Sequence, residues 1–397
     1  MIAAIRTAYN KAYNANHYQQ MLDFIADKYD HRPPFRIAET PVFIPALLKD
    51  RLIEACHSIM ETLCRPDFKS ISQGAILPEQ VVPGEDDHTT FLQMDFGICL
   101  DEKGDLIPQL IEVQGFPSLY FFQDQLANAY RQFFDIPEDY TYLFKHQNSA
   151  EYLESLRRII VGDCDPKEVI FLEVEPEKQV TYIDFRIAER ELGVRSVCVS
   201  KLIKEGKAVF YEDANGEKVK VKRIVNRVIF DELTKRDDLK RQFRFTEEAD
   251  VEWIGHPHWF FRISKHTLPF LDSPYVPKSF FLNELETMPE DLHNYVLKPL
   301  YSFAGTGVII NLNRFDLDAI KDRENYILQR KVSYAPVVDT LDVPSKCEIR
   351  MLMLWEKDQA KPYIVNNLAR LSKGEMIGVS YNKDKEWVGG SVGFFKP

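Results

Sequence analysis

FLQMDFGICLDEKGDLIPQLIEVQG, residues 91–115, consists of two β-rich runs around the turn DEKGD at 101–105. Runs of this length split by such a turn predict an antiparallel hairpin. Glu112 and Gln114 are two apart on the second strand, so their side chains face the same way. Asp95, on the first strand, can lie opposite them. Three oxygen donors on one face suit Mg²⁺, which takes hard carboxylate and amide oxygens and lets phosphates complete its octahedron. A solvated polar face has the same spacing, but would leave Ile111 and Val113 as that strand's only burial.

The segments on either side of the hairpin differ in texture. Residues 1–70 read as helices: Ile5, Tyr9, Tyr13 and Tyr18 space like one face, and 47–63 is a second helical pattern. QVVPGEDDHT, 80–89, is a polar loop punctuated by Pro and Gly. A helix-like run follows at 120–134. The middle alternates: strand 168–174, helix 180–192 closed by Gly193, strand 195–200, then 208–210 and 219–225 around the turn DANGE. This predicts an α/β lobe of doubly wound character. Further on, 278–281, 295–299, 326–332, 348–355 and 362–370 read as strands and 315–320 as a short helix.

Two late segments carry chemistry. In YVLKPLYSFAGTGVII, 295–310, a strand delivers Lys298 into a loop of small residues, Ser302, Ala304, Gly305, Thr306 and Gly307. Small residues let backbone N–H groups approach phosphate oxygens, and Lys298 offers a point charge. The spacing is not that of a P-loop, and a plain hairpin with an exposed lysine fits it equally well. In YILQRKVSY, 326–334, an apolar strand runs into a polar segment whose backbone edge could receive an adenine ring; an ordinary strand end reads the same.

The stretch from Phe91 to Tyr120 resembles the glutathionylspermidine synthetase family. That family has an Arg-x-Asp strand, a hairpin, and a Glu-x-Asn strand followed by a Pro-Ser-Leu-Tyr-like turn. Here Asp95, Glu112 and Gln114 match its three magnesium-ligand positions, and Pro117, Ser118, Leu119 and Tyr120 match its turn. FFRISKHTLPFL, 260–271, is similar to the segment whose lysine reaches the nucleotide, which implies Lys265. YVLKPLYSFAGTGVII is similar to the family's Lys-Pro strand and glycine-rich loop, which implies Lys298. YILQRKV is similar to its adenine-side hinge, which implies Gln329. These segments keep their order across residues 90–335. The sequence departs from the family at Gln93, which replaces the arginine that steadies the transferring phosphate, and in the uncharged loop arm. The last 50 residues resemble the broader ATP-grasp class, whose strand arginines hold acyl phosphate and substrate carboxylate; Arg350 and Arg370 are the candidates here. An ordinary surface ion-pair role would also suit both arginines.

The resemblance implies an α/β (α+β) ATP-grasp fold with a permuted catalytic core and a doubly wound lobe that precedes the lid. It divides the chain into 1–150 (helices and metal-binding hairpin), 151–255 (α/β lobe), 256–335 (lid) and 336–397 (strands returning to the core). It further implies ATP and Mg²⁺ as cofactors, and small-molecule carboxylate and amine substrates joined through an acyl phosphate. Gln93 keeps open a degenerate relative that binds nucleotide or ligand without turnover. A non-enzymatic binding partner is the third reading.

Composition bounds these readings. At 397 residues, two or three lobes are expected. Hydrophobic residues make up 45% and aromatics 12%, enough for a large core. A net charge of −11 with no basic block argues against a nucleic-acid binder. The six cysteines form no CxxC pair, which fits reduced thiols in a cytoplasmic protein. No run approaches a membrane span and the N-terminus lacks a signal-like apolar core, so no membrane association is expected.

Overall fold

The computed structural model describes residues 1–397 apart from 234, 302–305, 376 and 379–381, with 231 described in its backbone only. The predicted hairpin forms, with strands Phe91–Leu100 and Leu106–Gln114. Asp101 closes its turn by accepting the backbone N–H groups of Lys103 and Asp105, an Asx arrangement that competes well with ladder bonding.

The hairpin lies in a six-stranded antiparallel sheet. Phe91–Leu100 also pairs with Ser345–Leu354, which pairs in turn with Tyr363–Ser372 and, off that path, with Pro336–Val338; Gly389–Ser391 closes the far edge. The period of two then separates the residues of the first strand. Leu92, Met94, Phe96 and Ile98 turn to one side and enter a core shared with Leu48, Leu52, Ile59 and Met60 of the Ala46–Leu63 helix. Those helical positions recur at the spacing of one amphipathic face, and each side chain of this size contributes about 1.5–3 kcal/mol on burial. Gln93, Asp95 and Gly97 turn to the opposite side and form a polar floor.

The 1–70 helices form as Ala3–Ala12, Ala15–Tyr29 and Ala46–Leu63. The break between the first two sits at Asn14, whose side chain accepts the N–H of Asn16 and starts the second.

The α/β lobe forms around four parallel strands in the order Glu252–Ile254, Arg223–Asn226, Val169–Glu173, Arg195–Cys198, with helix Tyr182–Leu192 crossing between the last two and ending at Gly193. The sequence read 219–225 as a single strand. The structure divides it: Lys218–Val221 joins an antiparallel flap with Ile203–Glu205 and Ala208–Glu212, and Arg223–Asn226 joins the parallel sheet. Lys222 is the hinge, its N–H bonded to the Glu168 carbonyl at 2.8 Å. The first half alternates exposed lysines with inward-facing valines while the second is nearly all buried, the signatures of a one-sided and a two-sided sheet.

A three-stranded antiparallel sheet, Ser279–Phe281, Tyr326–Arg330 and Tyr295–Pro299, forms the region expected to be the lid. Tyr295, Leu297 and Leu328 face a small core of their own with Leu282, Leu312 and Leu317. By alternation Val296, Lys298, Ile327 and Gln329 face the other way, where Ile327 joins the core of the hairpin's apolar face and Lys298 reaches the hairpin backbone. Among the described residues no helix is long and apolar enough to cross a membrane.

Candidate functional site

The floor is built by register. Asp95 lies directly opposite Glu112 on one neighbouring strand and Arg350 on the other; Gln93 lies opposite Gln114 and Leu352; Glu348 lies opposite Gly97 and Arg370. Arg350 forks onto Asp95, Nε to Oδ1 at 2.5 Å and Nη2 to Oδ2 at 2.7 Å, and donates a third bond from Nη1 to Gln93 Oε1 at 3.0 Å. Arg370 Nη2 donates to both Asp95 Oδ2 and Glu348 Oε1. Tyr334 donates its hydroxyl to Glu348 Oε2 at 2.7 Å. Gln93 Nε2 reaches the Ser118 carbonyl at 3.0 Å and ties the floor to the turn at 117–120.

Burial sets the electrostatics of this row. Asp95 is 1% exposed. Burial alone would raise its carboxyl, but Arg350 and Arg370 hold it below the ordinary carboxylate range. Glu348 goes the other way: burial and the Asp95 charge raise it against the pull of Arg370. Arg370 is held above its ordinary value, the Glu348 and Asp95 charges outweighing its burial.

Glycine permits two close approaches. A Cβ at Gly115 would fall 2.7 Å from the Trp259 carbonyl oxygen. The bare backbone lets helix His258–Arg262 abut the end of the hairpin, with Gly115 N–H bonded to the Ile263 carbonyl at 2.9 Å. The short helix Lys265–Phe270 follows directly, capped by Ser264, and carries Lys265 Nζ to 3.6 Å from Glu112 Oε2. At Gly97 a Cβ would lie 2.8 Å from Tyr334 Cε1 and 3.0 Å from Val332 Cγ1, so Tyr334 reaches Glu348 only because that position is bare. Gly97→Ala is expected to push the ring off the floor and lower stability by about 1–3 kcal/mol, read as a shift in the urea midpoint; an unchanged midpoint would contradict this packing.

The structure brings the early hairpin and the late lysines together. Lys298 Nζ donates to the Ile111 carbonyl at 2.9 Å, and Lys265, Glu112, Glu348 and Asp95 all act on its charge. Burial lowers the Lys298 ammonium to about 8, the more so for the neighbouring Lys265 charge. Gln329 is 1% exposed, and its Nε2 has no hydrogen-bond partner among the described residues. Thr306 is exposed, and Gly307 (φ +73°) packs on Pro299 at the end of the Lys298 strand. Ser302 and Gly305 lie outside the described residues.

The metal-ligand triple divides. Glu112 is half-buried, and Gln114 Nε2 donates to its Oε1, which leaves the Gln114 amide oxygen as a further hard donor. This pair fits a Mg²⁺ ion. Asp95 as arranged does not, because both its oxygens already accept guanidinium N–H groups.

Arg227 was missed in the sequence. It follows the parallel strand Arg223–Asn226, at the carboxyl end where α/β sheets hold ligands. Its guanidinium lies over the rings of Phe116 and Phe185 at 5.3 and 5.1 Å, donates from Nη2 to Thr181 Oγ1 at 3.2 Å and sits 3.8 Å from Asp184 Oδ2. Its buried Nε has no partner among the described residues. The Arg350 charge is close enough to help burial hold Arg227 below its ordinary value. An arginine just past a strand was the available signal; only the parallel order shows which end of the sheet it occupies.

Compared by sequence, the chain matches no family model and no curated protein. Compared by structure, it is similar to a glutathione synthetase-like effector from Globodera pallida in apo form. The TM-score is 0.57 at 12% identity, over 95% of this chain and 97% of that one. The two share a fold. A putative gamma-glutamylcysteine synthetase from Methylobacillus flagellatus aligns at a TM-score of 0.39 and 12% identity, over 84% and 85% of the two chains.

Proposed function

We propose that this chain is an ATP-grasp-type carboxylate–amine ligase of the glutathionylspermidine synthetase-like kind. The observation that carries the reading is the meeting of Glu112, from the early hairpin, with Lys265 and Lys298, which arrive more than 150 residues later from two different elements. Lobes brought together in this way can hold a triphosphate between a carboxylate-borne cation and buried ammonium groups.

In this reading Lys298 and Lys265 neutralise phosphate oxygens, and the empty donor of Gln329, on the same lid face as Lys298, meets the base. Glu112 and Gln114 would hold Mg²⁺, which supplies charge neutralisation at the phosphates. Arg227 and the outer edge of Arg370 hold the substrate acid with its carboxylate toward the γ-phosphate. A carboxylate oxygen then bonds to the γ-phosphorus as the bond to ADP breaks. The amine attacks the acyl carbon, inorganic phosphate leaves, and the amine proton passes to solvent. Arg350, fixed on Asp95 and Gln93, keeps a rigid positive field beneath the transfer without reorganising. No side-chain nucleophile is used.

Calorimetry of ATP binding in the presence of Mg²⁺ tests the first half of this. Phosphate release with pooled amino acids, peptides and polyamines tests the second. ATP binding without release under any pool would favour a nucleotide-binding relative without turnover, the reading that Gln93 and the engagement of Asp95 support. No binding at all would remove the nucleotide site.

A further inference from the structure

We propose, on the basis of the nucleotide site above, that the Arg350 guanidinium occupies the place of a second metal ion, so that the site takes its nucleotide with one divalent cation on Glu112. Asp95 is then a positioning residue for two arginines.

A hairpin offering Asp95, Glu112 and Gln114 together has enough hard oxygen for two ions bridging a phosphate chain. Three features reserve Asp95 for arginine instead. First, the cradle is built for a guanidinium. Gln93 and Asp95, two apart on one strand, present three oxygens to the planar fork of Arg350, which stands opposite Asp95 in register. Second, a carboxylate has about four lone-pair positions, and three at Asp95 are filled, two by Arg350 and one by Arg370. Mg²⁺ demands near-ideal octahedral geometry and gives up water reluctantly, so one leftover lone pair between two guanidiniums is a poor ligand.

Third, the charges near Asp95 are already balanced. Asp95 and Glu348 are matched by Arg350 and Arg370. Glu112 stands more loosely against Lys265 and Arg350, at 3.6 and 3.9 Å. One divalent ion at Glu112 meets that carboxylate and the phosphates; a second, at Asp95, would meet a carboxylate whose charge two guanidiniums already neutralise.

The test counts metal. The full chain is saturated with Mn²⁺ and a non-hydrolysable ATP analogue, and bound Mn²⁺ is measured by electron paramagnetic resonance. The expected result is a single ion per chain without spin–spin broadening. It should be lost in Glu112→Gln and kept in Asp95→Asn. Two broadened ions in the unmodified chain, or loss of the ion in a folded Asp95→Asn, would overturn the inference. Should Asp95→Asn fail to fold, the count on the unmodified chain decides. Failure of the analogue to bind with or without Mn²⁺ would overturn the nucleotide site and this inference together; the inference alone fails where the analogue binds and either of those two metal results is seen.

Discussion

Lys298→Ala is expected to weaken ATP binding by about 10- to 100-fold, the loss of a hydrogen bond to a charged group, while circular dichroism shows the fold unchanged. The ammonium is 7% exposed and already burdened by burial, which lowers it to about 8. Removing it therefore takes away a phosphate partner, while in the empty protein the lost bond to the Ile111 carbonyl is offset by relief of the buried charge. The same lowering fixes the sign of the pH dependence. Below about pH 8 the folded chain carries the buried charge, at a cost in stability but with a partner ready for phosphate. Between about pH 8 and the ordinary lysine value of 10.5 the folded chain has shed a proton that the unfolded chain keeps. The cost to stability is relieved as pH rises through that window. Affinity moves the opposite way: binding must take up a proton, so ATP affinity is expected to fall as pH rises above about 8. Lys298→Arg, which keeps its charge, should flatten that decline. Calorimetry at several pH values checks both statements. A profile unchanged by the arginine would assign the decline to another group.

The second large effect is on stability. Asp95→Ala leaves the buried Arg350 without its carboxylate partner and facing the Arg370 charge, and removing one partner of a buried ion pair costs about 3–5 kcal/mol. Glu112→Ala makes the contrast. Its carboxylate is 22% exposed, and its ionic partners stand at 3.6 and 3.9 Å rather than in a fork. Its loss is expected to cost about 1 kcal/mol. Urea midpoints of the two variants, measured side by side, separate a carboxylate that holds the floor together from one kept available for a ligand. Equal shifts, or a larger one for Glu112→Ala, would contradict the arrangement.

The residues that matter were legible to unequal degrees. The hairpin could be read because its signals are local: a period of two, a polar turn, and Asp95, Glu112 and Gln114 set within 20 residues. The pairing of Gln93 with Gln114 and Asp95 with Glu112 was not legible: the register set at the turn would put Asp95 opposite Ile111, and a bulge beside Asp95 and Phe96 shifts it by one residue. Lys265, Lys298 and Gln329 were found by likeness to a known order of segments, since a lysine on a short strand carries little meaning by itself. The division of 219–225 into two strands was missed because KVKVKRIVN has no Gly, Pro or other turn residue inside it, its alternation first failing at the Lys222–Arg223 doublet. The differing burial of its halves, a property of what packs on them, confirms that this doublet divides two strands.

By itself the chain determined that acidic and amide oxygens would share one strand face, because side-chain direction along a β-strand is a matter of covalent geometry. It also determined which late strands would carry cations. The tertiary structure alone decided what those oxygens do. Asp95 and Arg350 are 255 residues apart, and their pairing depends on the register in which Ser345–Leu354 docks beside the hairpin. That register follows from burying Ile349, Met351 and Met353 on the far face, since a slip of one residue would turn Arg350 into the core. Packing on the apolar side thus sets which charges meet on the polar side.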